Sequence, residues 1–151
     1  EVFMTPELIK RMIDACYLGK RARELLPPLP AGVLPSYIQC LDVLHRLERS
    51  GLPVKISDIS DAMNLPRPGV TRTVKEMEAK GYLKKTTSEA DGRITYLSTT
   101  EAGQRLWEKY DAQYFARLLP DLEGIPDADA ETMIRTIETL YHVLCERRND
   151  V

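Results

Sequence analysis

The stretch "TTSEADGRITYL", residues 86–97, constrains the fold more than any other part of the chain. Thr86, Thr87, Ile94, Thr95 and Tyr96 are strand formers, and they flank a polar turn, Ser88-Glu89-Ala90-Asp91-Gly92. Asp-Gly suits a turn that needs a positive φ, so the segment from Tyr82 to Leu97 predicts a β-hairpin. Nearly everything else has helical periodicity. A lone hairpin has little core of its own, so in a helical protein it is there to reach something.

The helices announce themselves by caps and apolar stripes. Thr5 is the expected N-cap of a helix over residues 5–26, with Pro6 at its first position and Glu7 at the positive end of the dipole. Leu8, Met12, Cys16, Gly19, Ala22 and Leu26 recur along it, with Ile9 and Ile13 beside them. "PPLPAGVLP" breaks it. Ser36 is the expected cap of a second helix running to Ser50, with Gly51 as its stop and Ile38, Leu41, Leu44 and Leu47 as its apolar face. A short helix, "SDISDAMN", is capped by Ser57, turns Ile59, Ala62 and Met63 inward, and ends at Leu65-Pro66. The next spans residues 67–80, faces inward through Val70, Val74 and Met77, and stops at Gly81. After the hairpin, Ser98 and Glu101 have capping-box spacing and open a long helix to Leu119, lined by Leu106, Tyr110 and Tyr114. Pro120 stops or kinks it. A last helix, capped by Asp127 or Asp129, runs to Arg147 with Met133, Ile137, Leu140 and Leu144 in register.

Composition excludes several functions. With 151 residues, 43% hydrophobic and 29% charged, the chain is expected to be globular and soluble. No apolar run approaches the roughly 18–20 residues of a membrane span. The N-terminal segment lacks signal-peptide character, so a cytoplasmic location and no membrane partner are expected. Cys16, Cys40 and Cys145 are too widely spaced for a disulfide framework or a zinc finger, and His45 and His142 are the only histidines. No metal site is therefore expected. The chain has no phosphate-cradling glycine loop, no HExxH and no nucleophile elbow, which argues against an enzyme and against a cofactor.

The charge distribution points elsewhere. Residues 66–96 carry seven basic and four acidic side chains, net +3 in a chain of net −2. A basic segment in an acidic protein suggests a local anion-binding face. Within it the order is short helix, tight turn, second helix, hairpin, which is that of a winged helix-turn-helix. The fold class is thus mainly α with one β-hairpin wing. With Val70, Val74 and Met77 inward, the second helix turns Arg67, Pro68, Thr71, Arg72 and Lys75 outward, where they can donate to phosphates and base edges. The wing offers Arg93 to a narrow minor groove, with Asp91 placed to orient its guanidinium and Lys84 and Lys85 placed for flanking phosphates. The alternatives are a plain solvent-exposed amphipathic helix and a turn with a surface ion pair.

Residues 56–106 resemble the winged-helix core of the MarR regulators, the multiple antibiotic resistance regulator family. The matching elements are Val70-Thr71-Arg72, Lys80-Gly81-Tyr82-Leu83, Asp91-Gly92-Arg93, and Leu97-Ser98 through Gly103. The flanking helices fit in number and order. The resemblance implies a homodimer joined by its terminal helices, with two winged heads on a pseudo-palindromic double-stranded DNA operator. It divides the chain into an N-terminal dimerisation helix and loop (1–35), a DNA-binding domain (36–100) and C-terminal dimerisation helices (101–151). One departure stands out: where the family has small hydroxyl residues at the start of the recognition helix, this chain has Pro66-Arg67-Pro68-Gly69.

The resemblance also implies a transcriptional regulator, commonly a repressor released by a small, often aromatic ligand. Tyr37, His45, Tyr110 and Tyr114 are the candidate lining of its cleft, and core or surface packing is the alternative for them. Some relatives sense peroxides through a cysteine in the first helix, which makes Cys16 a candidate redox site, with Lys20 one turn away. Against this, Cys16 also falls on the apolar stripe, where a thiol is usually buried and inert. A dimeric protein-interaction module without DNA binding is the remaining alternative.

Overall fold

The computed structural model describes residues 3–148. The chain falls into two compact units, Leu29–Leu118 and the two flanking segments taken together.

The flanking segments supply α1 (Pro6–Glu24) and α7 (Asp127–Arg148). Helix α1 begins as its sequence predicts: the Thr5 hydroxyl accepts from the Leu8 N–H at 3.2 Å and Pro6 occupies the first turn. Helix α7 starts at Asp127, so Pro126, whose carbonyl accepts from the Asp129 and Ala130 N–H groups, holds the capping position expected of Asp127 or Asp129. Neither helix has a buried residue, and Ile9, Ile13, Leu18, Ile134, Ile137, Tyr141 and Leu144 are all exposed.

The central unit holds α2 (Pro35–Glu48), β1 (Val54–Lys55), α3 (Ile56–Met63), α4 (Arg67–Ala79), β2 (Leu83–Thr87), β3 (Thr95–Thr99), α5 (Glu101–Trp107) and α6 (Gln113–Leu118). Its core is Tyr37, Cys40, Leu41, Val43 and Leu44 of α2, Ile59 of α3, Val70, Val74 and Met77 of α4, and Val54, Leu83 and Leu97 from the strands, with Val33 and Leu106 at its margin. The hairpin is real but not alone. Strand β1 adds to its far edge, giving the antiparallel order β1-β3-β2, with Val54 and Lys85 both opposite Leu97. A two-residue strand carries no alternation to read, so periodicity could not reveal it.

Several local expectations are corrected. Pro35, not Ser36, opens α2, and the buried face is Tyr37, Cys40, Leu41, Val43 and Leu44, with Ile38 and Leu47 only partly covered. Helix α3 starts at Ile56 rather than after Ser57. The Asp58 carboxylate accepts from the Lys55 N–H at 2.8 Å, the back-reaching bond of a capping box, in place of the forward bond expected of a Ser57 cap. Ala62 is exposed, and buried Ser60 takes the inward place, its hydroxyl donating to Leu65 O at 2.6 Å. Ser98 is paired with Lys84 in the sheet, so the cap of α5 passes to Thr100, whose hydroxyl accepts from the Gly103 N–H at 3.1 Å. The expected long helix to Leu119 is interrupted by a π-helical turn, Glu108–Ala112, and finishes in a 3-10 turn, Leu119–Leu122. Gly92 does not have the positive φ expected of it, and the loop of residues 88–94 runs two residues past the expected turn Ser88–Gly92.

The corner joining α4, β2 and α5 is tight. Gly81 has φ +81°, and its carbonyl accepts from the Thr100 hydroxyl at 2.6 Å. A Cβ added at Gly103 would lie 2.2 Å from the Tyr82 carbonyl oxygen and 2.9 Å from Thr99 Cγ2. Gly to Ala inside a helix ordinarily gains about 1 kcal/mol. Here Gly103→Ala is expected to lose about 2–3 kcal/mol through overpacking against backbone, read as a lower denaturant midpoint with unchanged slope. A midpoint at or above the wild-type value would show that the corner yields.

Candidate nucleic-acid interface

The turn between α3 and α4 is made by Asn64, at φ 52° and ψ 45°. Asparagine tolerates this left-handed conformation better than other non-glycine residues. The Leu65 N–H bonds back to Ser60 O at 3.1 Å, and Pro66 then starts α4 with φ −61°. Proline at position 68 falls in the first turn, where its missing N–H breaks no helical bond. The helix has no side-chain cap, so the Arg67 and Gly69 amides have no capping partner at the dipole's positive end.

Burial of Val70, Val74 and Met77 fixes the rest of α4 by period alone. Pro68, Thr71, Arg72 and Lys75 are exposed on the sides turned from the core, whereas Arg67 shares the register of the stripe and is exposed because it is the first residue of the helix. Arg67 and Thr71 open onto a shallow groove that Arg93, Ile94 and Thr95 close from the wing side and Lys55, Ile56 and Ser57 close from the start of α3. Three cations from three segments line this groove, and its lining contains no carboxylate. Sequence reasoning missed Lys55, Ser57 and Thr95. Placing the start of α3 two residues late left Lys55 in an undefined loop, and the sheet edge that sets Thr95 beside Thr71 depends on β3 pairing.

Arg93 is held as its neighbour's spacing suggests. Its Nε and Nη2 donate to the two Asp91 carboxylate oxygens, both at 3.1 Å, and its backbone N–H donates to Asp91 Oδ1 at 3.0 Å. The Arg93 side chain is 90% exposed, so this pair contributes little to stability. What it does is restrict a long, flexible side chain to one fork geometry. The Arg93 side chain, and then its backbone N–H, hold the Asp91 carboxyl below its ordinary value of 3.8. Lys84 is exposed on β2. Lys85 points to the opposite face, its Nζ 3.8 Å from Glu78 of α4.

The four aromatic candidates for a ligand cleft occupy different surroundings. Tyr37 is 1% exposed in the core, its hydroxyl donating to Glu76 at 2.8 Å. His45 stacks on Trp107 with ring centroids 3.8 Å apart, and Trp107 Nε1 donates to Asp42 at 3.2 Å. Tyr110 packs on the core from the π-helical turn, and Tyr114 meets Phe115 edge-on. Cys16 is a half-buried free thiol on α1, whereas Cys40 lies fully in the core, where burial pushes its thiol up to about 11. Among the described residues no group of three or more His, Cys, Asp or Glu gathers to hold a metal, and no helix is long and apolar enough to cross a membrane.

Beside the His45–Trp107 stack, Asp111 of the π-helical turn faces Asp42, Arg46 and His45 of α2. Burial first, and then the negative charge of Asp42, push the Asp111 carboxyl from 3.8 up to about 6, against the pull of Arg46. The folded state thus holds this proton more tightly than the unfolded chain. The stability it contributes is full below 3.8 and is lost as pH rises through about 6. Asp111→Asn removes this dependence. The melting temperature of the wild type, relative to the variant, is expected to fall between about pH 4 and about pH 6.5 and to level off above. Parallel pH profiles for the two proteins would contradict it.

The sequence model of the MarR family matches residues 31–94, from the turn before α2 to the wing loop. Solved structures share the fold over nearly the whole chain. Streptococcus pneumoniae FabT, solved in complex with DNA, is 19% identical with a TM-score of 0.66, covering 94% of this chain and 99% of its own. A MarR/EmrR family transcriptional regulator from Acinetobacter sp. ADP1 is 24% identical with a TM-score of 0.64, covering 91% and 98%. The PcaV transcriptional regulator from Streptomyces coelicolor, solved with its natural ligand, is 16% identical with a TM-score of 0.61, covering 94% and 98%.

Proposed function

The winged helix of this chain belongs to the MarR family, and from that premise we propose that the protein is a homodimeric, sequence-specific DNA-binding transcriptional regulator that represses by occupying its operator and is released by a small ligand. The observation that carries the reading is the groove in which Lys55, Arg67 and Arg93 converge from three segments beside the outward face of α4. Cations so placed can straddle a phosphate backbone while Thr71, Arg72 and Lys75 address base edges. The Arg67 and Gly69 amides at the start of α4 add donors for a phosphate. Arg67 stands where the family resemblance implies a small hydroxyl residue, so the start of α4 offers a guanidinium to a guanine edge or a phosphate.

The dimer is supported by the terminal helices. Unpaired, α1 and α7 leave a row of large apolar side chains in water, including Ile9, Ile13, Ile134, Ile137 and Leu144, and such patches mark association surfaces. A two-fold dimer presents two identical heads to an inverted repeat. Release by a ligand is supported by the PcaV structure with its natural ligand and by the stacked His45 and Trp107 rings on the central unit.

Selection from a random duplex library tests the reading. Enrichment of an inverted repeat with half-sites about 10 base pairs apart is expected. On that duplex, Arg93→Ala should weaken binding about tenfold across sequences and reduce the salt slope by about one, whereas Arg72→Ala should cost about 1–3 kcal/mol at one base position and relax preference there. A library with no enriched repeat would refute the proposal. Ile137→Glu is expected to sediment as a monomer and to lose the repeat while keeping the fold. A dimer that persists through Ile137→Glu would move the interface elsewhere.

A further inference from the structure

The apolar seat of α4 leaves one degree of freedom open. Val70, Val74 and Met77 form a single stripe, and apolar packing is non-directional. Burial of the stripe chooses which face points inward, and directional hydrogen bonds set the last few degrees of roll more sharply than apolar contacts do. A roll changes the outer face a great deal: a guanidinium about 8 Å from the axis swings by about 1.4 Å for a roll of about 10°. Reading a base edge needs better placement than that, since hydrogen bonds weaken steeply with distance and angle.

A side-chain network stands where such a roll would be felt. Glu76 and Lys80 lie four residues apart on one side of the stripe, and the Tyr37 hydroxyl of α2 fits between them. It donates to Glu76 Oε2 at 2.8 Å and accepts from Lys80 Nζ at 3.2 Å. Lys80 Nζ also donates to the Gly32 carbonyl at 2.5 Å and lies 5.0 Å from the centre of the Tyr37 ring. Among the described residues these are the side-chain hydrogen bonds that join α4 and its C-cap to α2 and the loop before it. Tyr37 is 1% exposed, so its ring is fixed in the core and its hydroxyl has one direction to point.

We propose that Tyr37 is a positioning residue for DNA recognition: its hydroxyl, held between Glu76 and Lys80, sets the roll of the recognition helix and so the alignment of Thr71, Arg72 and Lys75 with the bases. The inference rests on the DNA-binding reading above. It assigns Tyr37 to sequence discrimination rather than to a ligand cleft. Phosphate contacts, which tolerate small displacements, do not depend on it.

Tyr37→Phe keeps the ring and removes the hydroxyl. The measurement is the ratio of affinities for the selected duplex and a scrambled duplex, each at two salt concentrations, with thermal melting of the same samples. The ratio is expected to fall about tenfold, with affinity for the scrambled duplex and the salt slope unchanged. A loss of stability alone would lower both affinities together and leave the ratio intact. Glu76→Gln keeps an oxygen to accept from Tyr37 and should preserve the ratio, while Glu76→Ala should lower it as Tyr37→Phe does. A ratio within twofold of wild type in both Tyr37→Phe and Glu76→Ala overturns the inference while leaving DNA binding untouched. A wild-type protein that does not distinguish the two duplexes overturns both.

Discussion

The contact of Val70, Val74 and Met77 with the core of the central unit is the constraint on which the rest depends. A helix has one period, so committing one face to burial commits the opposite face to solvent. Helices α2 and α3 and the small sheet provide the surface those three side chains need. The short turn at Asn64 then fixes where α4 begins, and the strand pair that follows fixes where Arg93 falls. The basic face is in this sense a by-product of the apolar one, with its residue types free to serve another partner.

The chain is acidic overall, and that does not compromise a local cationic groove. At physiological ionic strength the Debye length is about 8 Å, so carboxylates spread over the remaining surface are largely screened from it. Only charges inside that radius count, and the groove lining has three cations and no anion. Two carboxylates stand beside it: Asp58, bonded to the Lys55 N–H, and Asp91. The Asp91 oxygens are both taken by Arg93, whose remaining guanidinium donors are left unused by this pair on a side chain that is 90% exposed.

How much could be read in advance depended on which force decided each element. Where a single residue type settles the matter, the sequence was explicit: Thr5-Pro6 at the start of α1, Gly81 at the end of α4, the Val70-Val74-Met77 stripe, and the Asp91–Arg93 pairing. Where two uses competed for one residue, it was not. Ser98 has a good cap's chemistry, but the β2–β3 ladder claims its backbone and Thr100 caps instead. Ser57 lost the start of α3 to the Asp58 carboxylate. Strand β1 and the groove residues Lys55 and Thr95 come together only through tertiary pairing, which leaves no periodic trace. The π-helical turn at Glu108–Ala112 likewise has no local signature, and it is the segment that sets Asp111 against α2.

The corner at Gly103 has a mechanical meaning. Helix α5 rests its backbone on the Tyr82 carbonyl with no side chain between, and Thr100 ties the same helix to Gly81 and to Tyr82. Backbone meets backbone there with only the Thr99 methyl beside it, which leaves little to absorb a displacement. A displacement of α5 is therefore passed to the corner where α4 ends and β2 begins, with a glycine as the point of contact.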